Sequence, residues 1–552
     1  MAQCHRRAEP AGGVDNLEEP AHLEYLSPAS PTSTVLVITD KNRAQFVAEG
    51  AEHVAVGPFT VDHSLTLLSR VCGRQRLDRE PGEARELVTL CQGRPSTVSA
   101  VGTQLRSAPE LTLAALLRKL TAEAAPPEPR TIEMIAKRAV VASLDESSQE
   151  LYRRLRHHPG GGFPTELATA LSGDSDAESG LRSLETKQLI SPDGPGWWRL
   201  VDHTPDETGA HADEIRAIMD WHLRVAQLAD VAILGPHRLR VLPLEDDPPP
   251  NAPLLETVGQ ALDWLDTDVA NLVALAQYAA DQGWDHRVVM VQQSLWALYL
   301  HRRHPGYWDI TARLAIPAAQ RIGDPVIESR MRAERGRHLH EKNLRTGRFD
   351  EALDELEQAR RLAVDALDGT ETNDRLGRRL EASATDMAGR IHYTQRRYDD
   401  ALTAFRFACQ VNRELGLPRA EALMRQFIAG VYQATGRLQD ALSLMLKARE
   451  VFLLLDAERD EARLLIELAD LWGRLGDVEQ ALLTFNTAAK RLFDCQMYLH
   501  LAKAMELRGD LCHEHGFAAE AREAWQQALR IHNEQNNGAG ADAKRLAEKL
   551  AN

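Results

Sequence analysis

Five related heptads punctuate the second half of the chain. GRFDEAL, RRYDDAL, GRLQDAL, GDVEQAL and GFAAEAR place an alanine at Ala352, Ala401, Ala441, Ala481 and Ala521, with spacings by subtraction of 49, 40, 40 and 40 residues. A fixed period of this size marks a stacked array of helical units, because each unit buries its apolar face only against its neighbours. Arrays of this kind expose long continuous surfaces. The period therefore points first to the binding of other proteins.

The units share an internal design. Small residues fall 12 before and 7 after the key alanine in Gly389/Ala401/Ala408, Ala429/Ala441/Ala448, Ala469/Ala481/Ala488 and Gly509/Ala521/Ala528. The unit around Ala352 keeps Ala359 but carries His340 at the first position. A bulky residue follows four after each alanine: Leu356, Phe405, Met445, Phe485 and Trp525. Small positions let two antiparallel helices approach, and the large one fills the space between neighbours. Gly347, Gly436, Gly476 and Gly516 fall at the turn between helices, where a left-handed backbone favours glycine.

This pattern resembles the tetratricopeptide repeat, in a long variant of about 40 residues. The resemblance runs from about 330 to 536, and more weakly back to Trp264 through WLDTDVANLVALAQYAADQGW and SLWALYLHRRHPGYWDI. It implies that the first helix of each repeat lines a concave groove. Carried over by position, that groove includes Arg337, Glu341, Arg345, Asp386, Arg390, Tyr393, Gln426, Gln433, Arg463, Asp470, Arg474, Lys503, Asp510 and His513. The alternative for each is the solvated face of an array. The row mixes charges and lacks a Lys/Asn ladder for a C-terminal carboxylate, so a chaperone tail is not the expected ligand.

The chain has 552 residues and a net charge of -16. The length suffices for roughly three to four domains of about 100–200 residues. The acidic balance disfavours non-specific nucleic-acid binding, which relies on Lys and Arg neutralising phosphates. Cys4, Cys72, Cys91, Cys409, Cys495 and Cys512 are scattered without a CxxC pair, against a zinc module or disulfide framework. No signal-peptide core and no apolar run of roughly 20 residues is present. The expected compartment is the cytoplasm.

The front of the chain carries a second series. STVLVITDKNR contains the β-branched run Val35 to Thr39, which reads as a buried strand, and the segments after AEHVAVGPF read as amphipathic helices. The order resembles the second half of an NB-ARC module, the signal-transducing NTPase class. Val14-Asp15-Asn16 matches the tail of its Mg-binding acidic strand and Thr39-Asp40-Lys41 its sensor strand. Gly93-Arg94-Pro95-Ser96-Thr97 matches the turn whose proline touches adenine. The resemblance makes Asp15, Lys41, Pro95 and Asp202 remnant nucleotide-site positions. There is no GxxxxGK[ST] and no Gly-Lys dipeptide, so the phosphate cradle and its lysine are absent. The run AEPAGG before Val14 does not read as a buried strand. Without phosphate and Mg ligation, phosphoryl transfer lacks its main electrostatic support. The expectation is a pseudo-NTPase that holds no cofactor; a truncated reading frame or a partner chain supplying the missing half are the alternatives.

SLDESSQELYRRLRHHPGGGFPTELATALSG, AESGLRSLETKQLI and SPDGPGWWRLVDH read as helices followed by a hairpin, which is a winged-helix pattern. Its NB-ARC counterpart ends Met-His-Asp. Here Leu200-Val201-Asp202 stand in that place and His203 lies one residue beyond Asp202. Trp197 and Trp198 are expected in the core of this domain. A winged helix can read DNA through its third helix, but Arg182 and Lys187 are balanced by Glu178 and Glu185, so direct DNA binding is not expected. One helix and the stretch PLEDDPPPNAP, with Pro248 to Pro250, form a semi-rigid linker before the repeats. HExxH, a nucleophile elbow and GxGxxG are absent. His513 and His515 point apart on a helix, and His301 and His304 suit a helix end, so no metal is expected.

The sequence therefore predicts a mainly α protein: a short α/β NTPase remnant, a helical domain, a winged helix, then a right-handed α-solenoid of tetratricopeptide repeats. The domains are residues 1–60 (NB-ARC core remnant), 61–125 (NB-ARC helical subdomain), 126–205 (winged helix), 206–260 (Pro-rich linker) and 261–552 (array). The function expected is a non-catalytic regulator or scaffold that binds a protein or peptide in the groove, without a membrane, and compatible with an oligomer. Two alternatives stand beside it: a transcriptional regulator that binds DNA through the winged helix, and a biosynthetic-pathway enzyme with a site in the array cavity.

Overall fold

A computed structural model describes residues 11–15, 34–38, 54, 57–123, 132–173, 176–201, 211–236, 238–244, 247–302, 304–344, 346–534 and 541–551. Lys41, Asp202, His203 and Arg345 lie outside the described residues. The chain divides into two compact units, Glu52–Arg303 and His304–Asn552 with Met1–Ala51.

Two short strands come first. β1 (Ala11–Asp15) pairs in parallel with β2 (Thr34–Ile38), with Asp15 opposite Ile38. The β-branched run thus forms a strand, Thr34–Ile38, but not a buried one: Leu36 and Ile38 are more than half exposed, which corrects the sequence reading. Ala11, Gly12 and Gly13, the end of the AEPAGG run, also belong to β1. Glycine weakens a strand, but here the ladder to β2 supplies the backbone partners.

In the Glu52–Arg303 unit, α1 (Val61–Cys72), α2 (Arg74–Arg79), α3 (Pro81–Leu90), α4 (Pro95–Ser107) and α5 (Leu113–Glu123) enclose Leu68, Leu87, Val98, Val101, Leu105 and Leu116. Pro95 opens α4 at its first turn, where a missing N–H costs nothing. Gly93 just before it has φ +69°, and a Cβ there would stand 2.4 Å from the carbonyl oxygen of Phe59. The Arg76 guanidinium donates to the carbonyls of Leu105, Ala108 and Leu111, and so satisfies the open end of α4.

α6 (Ile132–Ala142) and α7 (Glu146–Leu155) follow, then β3 (Gly162–Pro164), α8 (Thr165–Ser172), α9 (Ala177–Thr186), β4 (Ile190–Pro192) and β5 (Trp197–Leu200). Asp145 caps α7 by accepting from the Ser148 N–H at 2.9 Å. The sheet order is β3-β5-β4, antiparallel throughout, with Phe163 opposite Trp198 and Ser191 opposite Arg199. Leu151, Leu155, Phe163, Leu167, Leu181, Leu184 and Leu200 fill the core. Trp197 and Trp198 are only half-buried, which corrects their sequence placement. Trp198 instead donates from Nε1 to Thr165 Oγ1 at 2.9 Å.

α10 (Ala212–Leu234), α11 (Val258–Asp281) and α12 (Asp285–Arg302) pack together. The segment between α10 and α11 is pinned to them. Buried Asp230 binds Arg238 and Arg240, Gln293 holds the N–H groups of Val241 and Leu242, and Trp221 Nε1 donates to the Pro250 carbonyl at 3.0 Å.

The His304–Asn552 unit contains α13 (Pro305–Ile322), α14 (Pro325–Lys342), α15 (Asp350–Asp365), α16 (Glu371–Thr394), α17 (Tyr398–Glu414), α18 (Pro418–Ala434), α19 (Leu438–Leu454), α20 (Glu458–Arg474), α21 (Val478–Asp494), α22 (Tyr498–Glu514), α23 (Ala518–Glu534) and α24 (Ala541–Ala551). Antiparallel pairs α14/α15 through α22/α23 are the repeats, and the five key alanines are buried to 1% exposure or less. The bulky partners Phe405, Met445 and Phe485 are also buried; each side chain contributes about 1.5–3 kcal/mol. Small meets large as the pattern requires: a Cβ on Gly389 would stand 2.8 Å from the Phe405 ring. The 49-residue spacing has a local cause. α16 has 24 residues where α18, α20 and α22 have 17, which supplies seven of the nine extra residues, and the connection 366–370 before it supplies the other two. In the α14/α15 repeat Gly336, not residue 340, is the close position: a Cβ there would stand 2.7 Å from Leu356 Cγ.

Candidate partner-binding groove

In three of the four steps along the array, neighbouring first helices approach one another more closely than second helices do, and α16 meets α18 through Arg390 over the Phe427 ring; α14, α16, α18, α20 and α22 are thus taken as the inner face. Residues 11 before the key alanines give one row along it: Arg390, Gly430, Asp470 and Asp510. A second row, four residues earlier and one turn away, is Asp386, Gln426, Ile466 and Glu506.

The α14–α16 end carries arginines, each internally paired with a carboxylate. Arg390 grips Asp386 at 2.7 and 2.9 Å, and its guanidinium lies 4.3 Å from the Phe427 ring centre on α18. Arg337 binds Glu341 at 2.6 Å. Burial, then the neighbouring Arg390, lower the Arg337 pKa from its usual value. Burial, then Arg337, push His340 down to about 4, so it is neutral at pH 7. Tyr393 stays 40% exposed, with its ring 5.9 Å from that of Tyr398.

The centre is acidic. Gln426 donates to Glu467 at 2.8 Å and Gln433 to Asp470 at 2.6 Å, which ties α18 to α20; Arg474 also reaches Asp470 at 3.0 Å. Burial, reinforced by Asp470, lifts Glu467 to about 7 against the opposing pull of Gln426 and Arg463. Gly430 leaves a notch here, since a Cβ would meet nothing within 4 Å.

The α22 end is closed by α24. Arg545 and Lys549 bind Glu506 at 2.8 and 2.9 Å, and Lys549 binds Asp510 at 2.7 Å. Trp525 Nε1 also donates to Asp510, and the His513 ring lies 5.4 Å from that of Trp525. Lys503 pairs with Glu506 at 3.4 Å, and Arg463 pairs with Asp460.

The structure thus brings together Arg337 with Glu341, Asp386 with Arg390, and Gln433 with Asp470 and Arg474. Arg463 and Lys503 bind carboxylates on their own helices instead. Sequence reasoning missed Glu467, Glu506 and Phe427. Glu506 was findable, because it shares the 15-residue offset of Asp386 and Gln426. Among the remnant nucleotide positions, Asp15 ends β1 and Pro95 opens α4. Among the described residues there is no group of His, Cys, Asp and Glu suited to a metal ion, and no helix long and apolar enough to cross a membrane.

This face carries fixed charge pairs, one half-exposed phenol and a notch at Gly430. No protein-family profile matches the chain. It is 26% identical over 458 residues to the regulatory protein AfsR of Streptomyces griseus, covering 78% of this chain and 44% of that protein. It is 26% identical over 385 residues to the AfsR of Streptomyces coelicolor, covering 64% and 37%. The chain therefore spans less than half the length of these curated relatives. Among solved structures, a STAND (signal transduction ATPase with numerous domains) protein with a tetratricopeptide repeat sensor from Pyrococcus horikoshii aligns over 98% of this chain and 80% of its own, at 13% identity and TM-score 0.35.

Proposed function

We propose that this chain is a non-catalytic regulatory protein of the STAND type, whose array captures a protein or peptide segment along the inner face of α14 to α22. One observation carries the reading: the inner face holds two rows of mostly polar, paired side chains, interrupted at Gly430 and Ile466, with an exposed Tyr393 and the notch at Gly430. The printed names of the relatives, regulatory proteins, support the class. In this reading the three-stranded β3-β5-β4 sheet with α7, α8 and α9 is the winged helix, and α1 to α5 the helical NB-ARC subdomain. These 552 residues contain no P-loop, so the chain is read as lacking ATP hydrolysis of its own. DNA contact through the winged helix is the second reading, favoured by the class of the relatives.

Affinity capture from native lysate with the intact chain and with the Arg390→Glu/Arg474→Glu double variant tests this. Circular dichroism checks that the variant is folded. A protein retained only by the intact chain is the expected result. Identical capture by both, together with a salt-sensitive mobility shift on DNA, would overturn groove binding in favour of the second reading.

A further inference from the structure

A buried chain of hydrogen bonds runs from the loop after α7 into α10 and α11. His158 Nε2 faces His222 Nε2 at 3.0 Å, His222 Nδ1 faces Asp268 Oδ2 at 2.7 Å, and Asn271 Nδ2 donates to Asp268 Oδ1 at 2.8 Å. His158, His222 and Asp268 are 0% exposed and Asn271 5%. The loop meets α11 so closely that a Cβ on Gly160 would stand 2.0 Å from Asn271 Oδ1.

The proton positions follow from the partners. The Gly160 N–H donates to His158 Nδ1 at 3.1 Å, so the His158 proton sits on Nε2. It is donated to His222 Nε2, which places the His222 proton on Nδ1, pointing at Asp268 Oδ2. Each junction then holds one hydrogen. A further proton on either imidazole puts two hydrogens into one junction, facing His158 Nε2 or the Gly160 N–H. A proton on Asp268 does the same against His222 Nδ1 or the Asn271 amide. A half-satisfied buried network is costly.

We propose that this chain of residues is a proton-counting latch: it holds the 156–161 loop on α10 and α11 while both imidazoles are neutral, and one added proton releases it. The surrounding charges are otherwise committed. On α7, Arg153 binds Glu150 and Glu214 of α10; on the loop, the His157 ring stacks on His211 at 3.8 Å. On α10, Asp220 binds Arg287 of α12, and Arg224 donates to the Asp247 carbonyl. On α11, Asp263 and Asp266 bind Arg302, and on β5 Arg199 binds Asp193.

Hydrogen exchange of the full chain, corrected for the intrinsic pH dependence, tests the latch in the peptide covering residues 156–164. Opening exposes histidines whose ordinary pKa is roughly 6.5, so protection falls at least about tenfold per pH unit below that value. His222→Gln keeps a polar bridge and leaves His158 as the one titrating imidazole of the relay, so the loss of protection with falling pH becomes shallower than in the wild type. Gly160→Ala releases the loop already at pH 7.5. If a variant fails to fold by circular dichroism, ¹⁵N histidine spectra of the wild type decide: His158 must carry its proton on Nε2 and His222 on Nδ1. Wild-type protection unchanged between pH 7.5 and 5.5, the same pH dependence in folded His222→Gln, or reversed tautomers would overturn the proposal.

Discussion

Two glycine-to-alanine substitutions, alike on paper, are expected to act in opposite directions. Gly509 sits inside α22 against α23. A Cβ there would stand 2.5 Å from Trp525 Cδ1, 2.6 Å from Nε1 and 3.1 Å from the Ala521 carbonyl oxygen. The indole is held by its bond to Asp510 at 2.9 Å and is 8% exposed, so it has little room to retreat. Gly430 sits inside α18, facing the groove, with nothing within 4 Å of a Cβ. Alanine in place of glycine inside a helix gains about 1 kcal/mol, and an extra methyl in a filled contact costs about 1–3 kcal/mol. A contact near 2.5 Å takes the upper part of that range. Gly430→Ala therefore stabilises its repeat by roughly 1 kcal/mol, and Gly509→Ala destabilises its own by roughly 1–2 kcal/mol. Because stability in a repeat array is largely local, opening free energies from hydrogen exchange of α18 and α22 read each effect, and thermal melts check the whole chain. A shift of both variants in the same direction by similar amounts would refute the packing argument.

Three further expectations rest on charge. Burial alone would raise the Glu506 pKa, but Arg545 and Lys549 outweigh it and hold it at about 2; a depressed carboxylate stabilises fully above its ordinary pKa of about 4.5 and loses that contribution as pH falls towards 2. Arg545→Ala/Lys549→Ala should therefore cost about 3–5 kcal/mol at pH 7, seen as lost exchange protection in α24, and should flatten its acid dependence. Glu467 has the opposite sign: its carboxyl, lifted to about 7, makes the fold more stable below its unfolded value and less so as pH rises through neutrality. Glu467→Gln should remove that decline from melting temperatures measured between pH 5 and 7.5. Asp230→Ala leaves the guanidinium groups of Arg238 and Arg240 without their carboxylate and should lower stability by about 3–5 kcal/mol in urea unfolding, whereas a change below about 1 kcal/mol would show that the pairs contribute little.

The repeat was legible in the sequence because a solenoid repeats its contacts at the period of its residues. Ala401, Ala441, Ala481 and Ala521 are buried for the same reason that they recur: each meets a bulky neighbour of the same or adjacent unit. The run from Val35 announced β2, because a β-branched apolar stretch of that length has few other uses. The register of the first repeat was not legible. His340 occupies the expected small position, but the close approach moved to Gly336, four residues and about one turn earlier on α14.

Sequence alone determined that the second half is a helical array, where its turns lie, and which side of each helix is buried, since these depend on spacing along a few turns of chain. Tertiary structure alone decided which polar groups meet. Gln426 reaches Glu467, and Lys549 reaches Glu506, because of the offset between stacked helices. His158, His222 and Asp268 come together from three separate segments, through a fold that no local period encodes. Apolar burial is roughly additive over area and tolerates many neighbours, so it leaves a pattern in the residues. A hydrogen bond needs one partner at one distance and angle, and that geometry exists only once the helices have packed.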